Sequence, residues 1–237
     1  MNFDLRIGLE AAGFGDHSPF SIQGRVRGVR SEELEALAGR GYPLKGLVEA
    51  AFEVAGTRLQ HSGRGTVSLT DGTVYGESFD RLTADLRLDR GVWTADPIRL
   101  QRATGTLQGK LMVDQPKQQF RLDLSGAGIP LESLRSLRED QDQNQARLSG
   151  VAEGNVSGEG SFEKPQVQGQ VRIRQFGYGA VQSGTLTIDL ESHDERASWT
   201  ASGDLWGGQV RAKGETTLSG SFPLTARTVP MTGPFEG

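Results

Sequence analysis

Three histidines, His17, His61 and His193, come first for chemistry, because imidazole can act as base or metal ligand near neutral pH. They stand in unlike contexts, with no second histidine at ligand spacing and no Asp/Glu cluster around any of them. They read as exposed loop histidines. Asp85, Asp89, Asp123 and Asp189 would matter as a glycosidase pair, which needs two carboxyl groups facing one bond. Each alternates with apolar residues, so they read instead as outward charges that keep strands soluble and discourage edge pairing. There is no Gly-x-Ser-x-Gly elbow and no Walker loop. Zero cysteines removes disulfides, thiolate metal sites and cysteine nucleophiles. Asn155-Val156-Ser157 is an isolated glycosylation sequon and carries no weight. No catalytic residue, cofactor or metal site is expected.

Composition narrows the class. Glycine takes 33 of 237 positions, about twice its usual share of roughly 7%. The apolar fraction of 35% is too low for a thick multilayer core but enough for one face of a sheet. A net charge of −4, with arginines scattered along strands, argues against nucleic acid as a partner. No apolar run approaches the roughly 18 residues of a membrane-spanning helix.

Period-two alternation then sets the elements. Val67 and Leu69 alternate with Thr66, Ser68 and Thr70, and Leu82, Ala84, Leu86 and Leu88 with Thr83, Asp85, Arg87 and Asp89. Phe120, Leu122 and Leu124, then Val171 and Ile173, then Leu186, Ile188 and Leu190 repeat the pattern. Such runs are antiparallel strands, apolar on one face and solvated on the other. Asp71-Gly72, Arg90-Gly91, Gly177-x-Gly179 and Gly207-Gly208 read as turns between them. Gly150, Gly154 and Gly158 share parity, which puts all three on one face of a strand. Two short helices are expected, Ser31 to Ala38 and Leu131 to Arg138, each with a leucine pair three apart (Leu34/Leu37 and Leu134/Leu137). The polar tract 140–145 reads as a solvated loop.

The chain also repeats itself, and internal repeats change what a fold can be. Phe20, Gly28, Leu34 and Leu37 recur as Phe120, Gly128, Leu134 and Leu137. Leu44-x-Gly46 recurs as Leu148-x-Gly150, and Leu82-Thr83-x-Asp85-Leu86 as Leu186-Thr187-x-Asp189-Leu190. Trp93-Thr94-Ala95 returns as Trp199-Thr200-Ala201. The division read from this is 1–19 as the end of a preceding unit, 20–119 as repeat unit 1, 120–220 as repeat unit 2, and 221–237 as the start of a third. A chain that opens and closes mid-unit reads as a piece of a longer array.

Several of these stretches resemble the AsmA-like superfamily, including the TamB-type translocation and assembly proteins and bridge-like lipid transfer proteins. The resemblance lies in residues 63–76, in Phe79-Asp80-x-Leu82-Thr83-Ala84-Asp85-Leu86, in Leu148-Ser149-Gly150 leading to Val156-Ser157-Gly158, and in the Gly-Ile-Pro-Leu-x-x-Leu element from Gly128 to Leu134. It implies an all-β fold, a U-shaped β-trough with an apolar interior. It also implies a place in the periplasm, as part of an inner-membrane-anchored protein, and a role in carrying phospholipid or another acyl lipid between the two membranes. Candidate groove-lining residues are Val67, Leu69, Leu82, Leu86, Leu88, Leu107, Leu111, Phe120, Leu122, Leu124, Val171, Ile173, Leu186, Ile188 and Leu190. Neighbouring repeats of the same longer chain and outer-membrane assembly proteins are the protein partners it suggests.

Two alternatives remain open at this level. The same alternation would build a closed β-sandwich whose apolar faces fill each other. A structural or chaperone module that engages outer-membrane β-proteins through a sheet edge would also carry such strands.

Overall fold

The computed structural model describes residues 2–7, 15–33, 44–57, 59–137, 148–179, 181–182, 184–193, 196–205 and 207–217. The tract 140–145, Leu34, Leu37 and residues 221–237 lie outside these. The chain forms two compact units, Met1–Ala103 with Leu107–Gln118, and Thr104–Thr106 with Gln119–Gly237. The first holds β1 (Asn2–Ile7), β2 (Phe20–Arg30), β3 (Leu44–Gly56), β4 (His61–Val74), β5 (Glu77–Asp89), β6 (Val92–Arg102) and most of β7 (Gly105–Asp114). The second holds β8 (Gln119–Pro130), β9 (Leu148–Ser161), β10 (Pro165–Tyr178), the two-residue β11 (Val181–Gln182), β12 (Thr185–His193), β13 (Arg196–Leu205) and β14 (Gly208–Thr217). Within each unit the strands lie in chain order, with β11 standing aside against β10. The fold is all-β and antiparallel, and it is open. A closed sandwich does not form, because among the described strands each pairs with its chain neighbours and none turns back to close a second layer.

Directly opposed residues of antiparallel strands share a face. In unit 1 the apolar rows are Val48–Leu69–Leu82–Leu100, Ala50–Val67–Ala84–Ile98 and Val54–Gly63–Leu88–Trp93. The rows between them are polar, such as Glu53–Arg64–Arg87–Thr94. Unit 2 builds the same two faces. Its apolar rows are Ala152–Ile173–Leu186–Gly203, Gly154–Val171–Ile188–Ala201 and Val156–Gly169–Leu190–Trp199.

The pairing itself repeats. Phe20 opposes Gly56 as Phe120 opposes Gly160, and Val26 opposes Ala50 as Gly126 opposes Gly154. A bulge follows at the same place in both, between Val26 and Val29 and between Gly126 and Ile129. Each bulge carries a left-handed glycine, Gly28 at φ 61° and Gly128 at φ 69°. Asp71 and Gln175, 104 residues apart, likewise share a left-handed φ of about 50° inside their strands. Asp71-Gly72 is therefore not a turn: it lies within β4, and the chain reverses at Tyr75-Gly76. Arg90-Gly91 does turn, while Gly177 ends a strand interior and only Gly179 sits in the bend.

Of the first expected helix only residues 31–33 are described, and the second is broken at Leu134. Residues 31–33 are helical, and Leu131–Ser133 forms a 3-10 turn followed by helical residues 135–137. Pro130 stands at the cap, still in β8, rather than inside the first turn. Both elements clip onto the strand that follows. Ser31 Oγ accepts from Gly46 N at 3.1 Å, and Glu132 Oε1 accepts from Gly150 N at 3.4 Å.

Glycines on the apolar face let strands approach where a side chain would not fit. A Cβ at Gly154 would lie 2.2 Å from the Gln170 carbonyl oxygen, and one at Gly203 would lie 2.2 Å from that of Thr185. Gly154→Ala and Gly203→Ala are each expected to lower the free energy of unfolding by about 2–3 kcal/mol. Gly179→Ala, where nothing lies within 4 Å of the added atom, should lose only the left-handed strain of about 1–2 kcal/mol. Denaturant titration of the three variants measures this, and equal losses at all three sites would show that close approach is not the constraint.

Candidate functional site

Every candidate lining residue with a described partner falls on the apolar face of its unit. Val67, Leu69, Leu82, Leu86 and Leu88 share that face in unit 1. Leu107 and Leu111 occupy alternate half-buried positions of β7, between exposed Thr106, Gln108, Lys110 and Met112. In unit 2, Phe120, Leu122 and Leu124 oppose Gly160, Gly158 and Val156. Val171, Ile173, Leu186, Ile188 and Leu190 continue the same rows.

The two ends of these strands behave differently. In unit 1 one end seals itself: Val48, Leu69 and Phe79 are buried, Leu69 at 3% exposure, with Leu44, Val74, Leu82 and Leu100 packed against them. In unit 2 the short helical segment does the sealing. Leu131 is buried with Ala152 and Ile173, and Leu134, Leu137, Phe176, Leu186 and Ile188 close around them. The leucine pair Leu134/Leu137 thus forms the expected apolar stripe.

Toward the other end the faces stay more open. Leu190 is 39% exposed and Trp93 38%. Leu86, Leu122, Leu124, Val156 and Trp199 are half-buried. The Trp199 ring lies across Gly214, where an added Cβ would come within 2.7 Å of the indole. Phe120 stacks on Phe162 with ring centroids 5.9 Å apart. Sequence reasoning marked Trp93 and Trp199 as repeat signatures but not as surface. Their register partners, Leu88 and Leu190, were the signal that both rings belong to the apolar face.

The polar groups sit on the opposite face or at strand ends. Asp85, Asp89 and Asp189 are exposed, and Asp123 is half-buried. Cross-strand ion pairs join Arg64 to Glu53, Arg121 to Glu159 and Arg174 to Glu153. His17 is exposed in a turn, as expected. His61 is not a loop residue: it opens β4, half-buried, with its ring 6.4 Å from that of Phe20. His193 ends β12. Among the described residues two carboxyls are held below their ordinary range, both by backbone hydrogen bonds first. Asp114 is lowered by the hydrogen bond from Lys117 N and then by the Lys117 side chain. Glu32 is lowered by its own backbone N–H, with Ser31, Lys45 and Arg30 adding to this. Among the described residues no three His, Cys, Asp or Glu side chains gather as a metal site, and no helix is long and apolar enough to cross a membrane.

Comparison with protein-family models, with curated proteins and with solved structures gave no match in any of the three. The described strands present an apolar sheet face that is buried at one end and more exposed toward the other.

This division assigns stability to the sealed end. Ile173→Ala, at 6% exposure, is expected to destabilise unit 2 by about 2–4 kcal/mol. Leu190→Ala should cost under about 1 kcal/mol, since little transfer free energy is lost from an exposed site. Urea denaturation followed by far-UV circular dichroism compares the two directly. Equal losses would mean the whole face is core.

Proposed function

We propose that this chain is a lipid-carrying segment of an AsmA-like, periplasm-spanning protein, with acyl chains passing over the open part of each apolar face. The observation that carries the reading is the exposure of two large apolar side chains on the apolar face, Leu190 opposite the half-buried Trp199 in unit 2 and Trp93 opposite the buried Leu88 in unit 1. A monomeric soluble sheet gains nothing from leaving such rows uncovered, and contiguous exposed apolar surface marks interaction with something apolar.

The energetics favour a surface of this kind. An acyl chain crossing water exposes its methylenes at roughly 0.8 kcal/mol each, on the order of 10 kcal/mol for about sixteen carbons. An apolar face removes most of that without holding any one position tightly. In unit 2 the row Leu124–Val156–Gly169–Leu190–Trp199 crosses five strands. At about 4.8 Å between strands it spans roughly 19 Å, comparable to one extended acyl chain. The headgroup rides in solvent and needs no dedicated polar pocket. Phospholipid is the substrate class this fits, and the direction of movement belongs to the membranes at either end.

Photo-crosslinking residues at Leu190 and Leu86 are expected to capture phospholipid when the protein is made in bacteria, and one at Arg172 on the polar face is expected to capture none. Native mass spectrometry of the purified protein should show the same bound lipid. Absence of lipid in both measurements would end the proposal. Leu190→Glu or Leu86→Arg should abolish capture while shifting the melting temperature by no more than about 4 °C, because neither charge enters the sealed core. Ile188→Glu is the contrasting variant. Ile188 packs in the sealed cluster, so a charge there is expected to unfold the unit.

A further inference from the structure

The polar face of unit 2 holds a concavity of about 380 Å³, lined by residues of β9, β10, β12 and β13. A second, of about 370 Å³, shares Ser157, Gln168 and Glu191 with it. Register arranges six of the lining side chains in two neighbouring rows. Asn155, Gln170 and Asp189 form one, and Ser157, Gln168 and Glu191 the other. With strands about 4.8 Å apart and same-face residues about 6.8 Å apart, these six cover roughly 10 by 7 Å.

The repeat supplies an internal comparison. The positions 104 residues earlier pair identically and hold Ala51, Thr66 and Asp85 in one row and Glu53, Arg64 and Arg87 in the other. There Arg64 and Glu53 form an ion pair, an ordinary way to solvate a strand face. Unit 2 retains the acid as Asp189 but replaces Ala51, Glu53, Arg64 and Thr66 by Asn155, Ser157, Gln168 and Gln170. A charge-paired patch has become one of carboxamides and a hydroxyl around two carboxylates. Solubility does not require that change, because the ion-paired version already provides it.

We propose that this face of unit 2 binds an N-acetylated glycan chain. A carboxamide offers N–H donors and a carbonyl acceptor side by side, the complement of an acetamido group, and carboxylates accept from sugar hydroxyls. Gln170 Nε2 donates to Asp189 Oδ1 at 2.7 Å, which orients both groups toward one another across the strands. No arginine or lysine lines the larger concavity, so a phosphate finds no counter-charge there. The site is broad and shallow, suited to a polymer lying across strands rather than to an enclosed small molecule. Leu190 and Trp199 also line this concavity, but the six polar side chains it is argued from share, by register, the face opposite the lipid row.

The test is titration of the isotope-labelled full chain with chitotetraose, followed by amide shifts, with cellotetraose and a lysine-rich peptide as comparators. Chitotetraose is expected to bind with a Kd of about 1 mM or tighter, and to shift amides of β9, β10 and β12. Gln168→Ala combined with Gln170→Ala should weaken it by about fivefold or more, the loss of a hydrogen-bond partner or two, with the remaining spectrum unchanged. No shift with chitotetraose overturns the proposal. So does equal binding of cellotetraose, which lacks the acetamido group, or tighter binding of the peptide, which would mark the carboxylates as the determinant.

Discussion

Register is the constraint on which the rest of this structure depends. Opposed residues in an antiparallel pair share a face, so a one-residue slip in any strand would turn its apolar side chains into solvent and its charges inward. The bulges show how closely this is held. Between Val26 and Val29 the chain spends three residues against two of its partner, which changes the parity of β2 and still leaves Val29 opposite Val48. The same device sits between Gly126 and Ile129, opposite Ala152. A third bulge lies between Ala95 and Ile98, where Pro97 needs no ladder hydrogen bond from its nitrogen. Repetition of the bulge at matching positions, with a left-handed glycine in each, makes it part of the repeated design rather than an accident of one strand.

Close strand approach follows from that register. Large residues face small ones across the rows, as in Gly24–Phe52–Gly65–Leu86 and Val156–Gly169–Leu190. Added Cβ atoms at Gly63, Gly65, Gly154 and Gly169 would each fall within 3 Å of an atom of the neighbouring strand. At these four positions glycine removes a side chain where two backbones come together on the apolar face.

What was legible in the sequence was whatever obeys a period of two. Alternation at Leu82–Leu88 and Leu186–Leu190 identified the strands, their apolar face and the outward acids. The equal parity of Gly150, Gly154 and Gly158 put them on one face, and pairing makes it the apolar one for Gly154, opposite Val171, and Gly158, opposite Val167. What was not legible depends on partners far along the chain. Asp71-Gly72 has the composition of a turn, yet it lies at a bulge against β3, and the pairing of Gly72 with Phe79 of β5 keeps it inside a strand. His61 looked like a loop residue because its neighbour Phe20 is 41 positions away and joins it only through the β2–β3–β4 meander. The sealed end was invisible for the same reason. Leu69 and Leu190 read alike in one dimension, yet one is buried beneath Phe79 and Val48 and the other stands in solvent.

That last difference explains how one sheet can be stable and still leave apolar surface open. A sheet whose apolar face was wholly uncovered would lack the burial that offsets chain entropy. One whose face was wholly covered would leave no apolar surface exposed. Here the two demands fall on opposite ends of the same strands. Leu131, Leu134 and Leu137 contribute their burial at one end, and the row from Leu124 to Trp199 is spared at the other. Unit 1 reaches the same division without help from described helical residues, using Phe79 from its own hairpin. In both units the buried cluster lies at the same end of the strands, and in unit 2 the row from Leu124 to Trp199 stays more exposed toward the other.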